Sequence, residues 1–157
     1  RKTNVGFIGS LHPRRVRLFT ELQNRGIPVV TGGNTLGYGN YLSALSNIGI
    51  FIHDENEPIV VNNQQDNMGK GLWIKDVEAA SRGCFSMRNN EIGAQSYCAD
   101  IPTIRVYDSI DHAYDIINDI MMMPLTKRRE LQEQAIQTIL KQDSWHATAQ
   151  KLIALVQ

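Results

Sequence analysis

Asn4-Val5-Gly6-Phe7-Ile8-Gly9-Ser10 is a short apolar run closed by glycine. It has no polar alternation, so it reads as a strand covered on both faces, the habit of parallel sheets. The residues downstream repeat the theme. From Arg14 to Arg25, Val16, Leu18, Phe19 and Leu22 fall at helical spacing, and Gly26 ends the segment. Ile27-Pro28-Val29-Val30 is a second strand, and the glycine-dense Thr31 to Gly39 a loop. Tyr41 to Ser46 is a short helix, and Ile48-Gly49-Ile50-Phe51-Ile52 a third buried strand.

After polar His53 to Glu57, the amide-rich loop Asn62 to Lys70 leads into a helix from about Leu72 to Arg82, closed by Gly83. Cys84 to Met87 forms strand four and Pro102 to Tyr107 strand five. Asp108 or Ser109 then caps a helix carrying Ile110, Ala113, Ile116, Ile117 and Ile120. From Pro124 the pattern is amphipathic helix almost to the end, broken by a turn near Asp143-Ser144. Strands joined by helical crossovers predict one Rossmann-like α/β domain over residues 1–157. It is an open parallel sheet with helices on both faces and the C-terminal helices packed on it.

Composition narrows the function classes. A chain of 157 residues suits one domain, and 42% apolar with 20% charged residues suits a soluble globular one. Sixteen basic and sixteen acidic side chains cancel, so no whole-molecule field favours nucleic acid, and any anion site must be local. Cys84 and Cys98 show neither a CxxC nor a Cys/His metal spacing; they read as reduced structural thiols of a cytoplasmic protein, with no metal expected. No stretch nears the ~18 apolar residues of a membrane span, and a signal-peptide layout is lacking. The chain starts at Arg1 and enters a strand almost at once, which reads as the cut edge of a longer polypeptide.

Ligands of open parallel sheets bind beyond the carboxyl ends of the strands, which selects particular loops. The loop after strand one carries Gly9, Ser10, His12, Arg14 and Arg15, and the one after strand three carries Lys70. Gly9-Ser10 lets a ligand approach the backbone, and a following helix N-terminus attracts phosphate. Arg14 and Arg15 add positive charge there, although as plain surface arginines they would need no ligand. Lys75 and Glu78, at i, i+3, share a helix face: one suits a phosphate and the other ribose hydroxyls, while the same spacing suits an intrahelical ion pair. His12 and His53 could reach the cleft, but loop histidines are commonly just solvated. The GxGxxG fingerprint and the Walker loop are both absent, which argues against NAD and ATPase readings.

Lys75-Asp76-Val77-Glu78-Ala79-Ala80-Ser81-Arg82-Gly83-Cys84-Phe85 resembles the R-x-F-E-x-x-A-x-G-x-F signature of spore-maturation-type glycosyltransferase-like proteins, whose catalytic half groups with the group-1 glycosyltransferases of GT-B fold. Val5 to Ser10 with Arg15 and Leu18, the Asn47 to Ile52 strand, and Trp145-His146 before the last helix extend the resemblance over nearly the whole chain. It implies the C-terminal, donor-binding domain of a glycosyltransferase. Such a domain grips a nucleotide-diphosphate sugar while an N-terminal domain of the same polypeptide holds the acceptor; the isolated half would be inactive. It further implies that Glu78 contacts ribose, while Lys75, Arg15 and the Gly9-Ser10 loop face the pyrophosphate. The cations there would stabilise charge on the departing diphosphate without a metal or other cofactor. Two departures stand out: Lys70 occupies the place of a first glutamate, and Lys75 that of an arginine fork.

Two other readings follow from the residues. One is a degenerate, non-catalytic α/β interaction module, which the missing first acidic residue allows. The other, a flavodoxin-like receiver domain, requires an acidic cluster after the first strand, where Gly9-Ser10-Leu11-His12 has none.

Overall fold

The computed structural model describes residues 4–33, 37–54, 59–61, 64–66, 74–89, 99–142 and 145–155. In chain order the elements are β1 (Val5–Ile8), α1 (Pro13–Asn24), β2 (Val29–Gly32), α2 (Tyr38–Leu45), β3 (Ile50–His53), β4 (Ile59–Val61), β5 (Gln64–Asp66), α3 (Ile74–Ser81), β6 (Phe85–Asn89), β7 (Ile104–Tyr107), α4 (Ile110–Met122), α5 (Leu125–Gln142) and α6 (Trp145–Leu155). Five strands form one sheet in the order β2-β1-β3-β6-β7, every pair parallel. The predicted doubly wound α/β architecture is therefore present.

The chain steps outward from β1 to β2, then reverses past β1 to β3 and continues to β6 and β7. Right-handed crossovers in opposite directions place their helices on opposite faces of the sheet. Accordingly α1 packs beside α4, and α3 packs beside α5, which in turn meets α6. The larger core gathers Phe7, Leu18, Phe19, Leu22, Phe51, Phe85 and Ile117, with the Phe7 and Phe19 rings 5.5 Å apart. A smaller core joins Ala80, Ile101, Ile104, Ala135 and Ile139 under α5. The methyl side chains of Ala79 and Ala80, fully buried, let the helix lie close to its neighbours. Gln132 of α5 donates from Nε2 to the Gly83 carbonyl and ties that face together.

Several boundaries follow local chemistry. α3 ends in a Schellman turn: the Gly83 N–H bonds to Ala80 and that of Cys84 to Ala79, with Gly83 at φ 79°. Ser109 caps α4 by accepting from the His112 N–H at 3.1 Å. Cys84, a buried cysteine, points its Sγ at the carbonyls of Leu45 and Ile48. Cys98 and the turn at Asp143-Ser144 lie outside the described residues.

Three expectations shift. Strand four extends to Asn89, past the apolar residues that marked it. The helix placed at Tyr41 begins at Tyr38, inside the segment read as a glycine loop. Gln64–Asp66, within the segment read as loop, pairs antiparallel with the β-branched Ile59–Val61. Among the described residues no helix is long and apolar enough to cross a membrane.

Candidate functional site at the sheet's reversal point

The strand order reverses at β1, with β2 on one side and β3 on the other, so a crevice is expected beyond the carboxyl ends of β1 and β3. Gly9 follows β1 and Asp54 follows β3. Gly9 has φ 152°, a backbone region that suits glycine, and a Cβ placed on it would lie 2.8 Å from Phe7 Cζ and 3.3 Å from Lys75 Nζ. The second distance matters most. It brings the ammonium of α3 against the bare backbone of the first loop, so two segments 66 positions apart in the sequence (75 − 9) meet at one spot. Lys75 is only partly buried there.

Arg14 and Arg15 occupy the first turn of α1, behind Pro13 at the helix start and His12 at the N-cap position. His12 is exposed, and its side chain makes no capping bond. Arg15 is 9% exposed. Its Nη1 donates to the Ser10 carbonyl at 2.7 Å, its Nε to the Asp54 carbonyl, and its guanidinium lies 4.7 Å from the Phe7 ring centroid. One side chain thus fastens the loop after β1 to the residue after β3. Arg14 reinforces this through an ion pair with Asp54, Nε to Oδ1 at 3.0 Å. Burial lifts the Asp54 carboxyl above its ordinary value, against the opposing pull of Arg14 and a hydrogen bond from Tyr107.

Glu78 turns toward α2. Its Oε1 accepts from the Tyr38 hydroxyl at 3.1 Å and its Oε2 from that of Tyr41 at 3.0 Å. Lys75 points to Gly9 and Glu78 to the tyrosines, so the face they share on α3 serves two neighbouring segments. Lys70 lies outside the described residues.

Asp76, the next residue of α3 after Lys75, centres a buried polar cluster that the sequence reading did not single out. Asp76, fully buried, accepts from His53 Nδ1 at 3.1 Å, from Arg88 Nη1 at 2.8 Å and from the Ser86 hydroxyl. Burial alone would raise the Asp76 carboxyl. The hydrogen bond and charge of His53, the charge of Arg88 and the Ser86 hydroxyl together hold it below its ordinary value. His53, read as a loop histidine that could reach the cleft but more commonly solvated, is instead the last residue of β3, 1% exposed and bonded into this cluster. A legible signal did exist: Ser86 and Arg88 stand two apart in a strand, on one face. Among the described residues, no group of three or more His, Cys, Asp or Glu side chains is arranged to hold a metal ion.

No protein-family model matches the chain, and no curated protein is significantly similar to it.

Proposed function

We propose that this domain binds a nucleotide-diphosphate sugar, as the donor half of a cytoplasmic two-domain glycosyltransferase whose N-terminal domain holds the acceptor. The observation that carries the reading is the meeting of the Lys75 ammonium with Gly9 at the reversal point of the sheet. Backbone that a diphosphate can approach, a helix N-terminus and a cation there share one small region. Lys75 offsets the negative charge that grows on the departing diphosphate. Arg15 adds fixed positive charge while fastening the Ser10 and Asp54 carbonyls, and Arg14 and His12 line the approach. Ser10 frames the phosphates from the loop, and Glu78 receives the ribose.

The test is calorimetric titration of the chain with UDP, GDP and their sugar conjugates. At least one should bind, and Lys75→Ala should weaken it about 10- to 100-fold through loss of a charge-assisted phosphate contact. If none binds at millimolar concentration, or if Lys75→Ala binds like the parent, the donor reading is wrong.

A further inference from the structure

Glu78 carries a feature that a plain ribose contact does not require: each of its carboxylate oxygens already accepts a tyrosine hydroxyl from another helix. An ionised carboxylate offers about four lone-pair sites, so two bonds leave roughly one open on each oxygen. A group with two adjacent O–H donors matches that remainder. We propose that Tyr41 and Tyr38 are positioning residues that fix the Glu78 carboxylate to accept the vicinal hydroxyls of a ribose, making this edge of α3 selective for ribonucleotides. The proposal rests on the donor-binding reading above.

Four observations support it. Glu78 lies one helical turn beyond Lys75 on the same face of α3, a step comparable to that from a pyrophosphate to the hydroxyl edge of its ribose. The Tyr41 hydroxyl is half-buried, and burial together with the Glu78 charge pushes its proton affinity up, so it stays a donor. The rings of Tyr38 and Tyr41 stack 6.2 Å apart at 28°, which holds both hydroxyls at the cost of few rotatable bonds. Tyr38 is 66% exposed, so this end of the carboxylate is open to an incoming ligand.

The experiment compares each ribonucleoside diphosphate that binds with its 2′,3′-dideoxy counterpart, by calorimetry, in the parent chain and in Tyr38→Phe/Tyr41→Phe. The parent should prefer the ribonucleotide about tenfold, because a site built to bond a hydroxyl rejects the analogue lacking it. The double variant keeps both rings and loses the preference, to about twofold or less, while its affinity for the dideoxy compound holds. Thermal unfolding establishes that it is folded; should it not fold, Tyr38→Phe alone, at an exposed position, should still narrow the preference. A preference unchanged in a folded variant, equal weakening toward both compounds, or no preference in the parent overturns the proposal and leaves the donor reading standing. Absence of any nucleotide binding by the parent removes both.

Discussion

Asp76→Ala is expected to cost about 3–5 kcal/mol of folding stability, the range for removing one partner of a buried ion pair. Arg88 is fully buried, and the alanine would strip from its guanidinium a carboxylate held at 2.8 Å in the interior. His53 and the Ser86 hydroxyl would lose the same acceptor. Against the roughly 5–15 kcal/mol of a typical domain this is a large share, so the variant should unfold at much lower urea. Asp76→Asn keeps the shape and one acceptor and should lose less. The depressed carboxyl also sets a pH dependence. Its stabilisation is fully present above the ordinary value of 3.8 and drains away as pH falls below that, toward the folded-state value, where the carboxylate takes up its proton. Urea midpoints measured from pH 7 downward should therefore fall below about pH 4 more steeply in the parent than in Asp76→Asn. Equal slopes, or an Asp76→Ala variant as stable as the parent, would show that the cluster does not hold the fold.

Arg15→Ala carries the second large effect, about 2–4 kcal/mol. It withdraws the donors from two carbonyls, Ser10 and Asp54, and a cation from the face of Phe7. Arg15→Lys should recover little, because a single ammonium does not span two carbonyls as a planar fork does. Urea denaturation reads this directly, and a loss below half a kcal/mol would contradict the fastening role. The consequence for function is practical. Weak nucleotide binding by Arg15→Ala reports a loosened crevice as well as a missing charge, whereas Lys75→Ala, at a partly exposed position, isolates the charge.

The parallel sheet was legible because Val5–Ile8 and Ile50–His53 are buried along their whole length, and such strands read as unbroken apolar runs. The Gly9-Ser10 loop and Lys75 were legible as candidates because strand ends and helix starts fix where ligands go. Their meeting was not, since it depends on how α3 lies across the sheet, on β3 and β6. Arg15 was legible as a cation of the first loop, facing a ligand or solvent, but its bonds were not, because charge in a first turn carries no sign of which carbonyls it will find. Tyr38 was missed for a definite reason: placed in a glycine loop, it had no helical spacing to Tyr41, and only a helix starting at Tyr38 sets the two three apart on one face. The cluster around Asp76 escaped because Arg88 fell beyond the strand's apolar residues, and a buried charge is visible only through its partners.

The proposed site holds a nucleoside diphosphate between the loop after β1 and the first turn of α3, where Gly9 and Lys75 meet. Titrating isotopically labelled protein with UDP and with GDP, and following backbone amide resonances, tests it most directly. Saturable shifts concentrated at Gly9, Ser10, the first turn of α1 and Lys75 are the predicted result, with the same shifts requiring far more nucleotide in Lys75→Ala. Shifts confined to surfaces away from these residues, such as α4 and α5, or no saturable shift with either nucleotide at millimolar concentration, would contradict it.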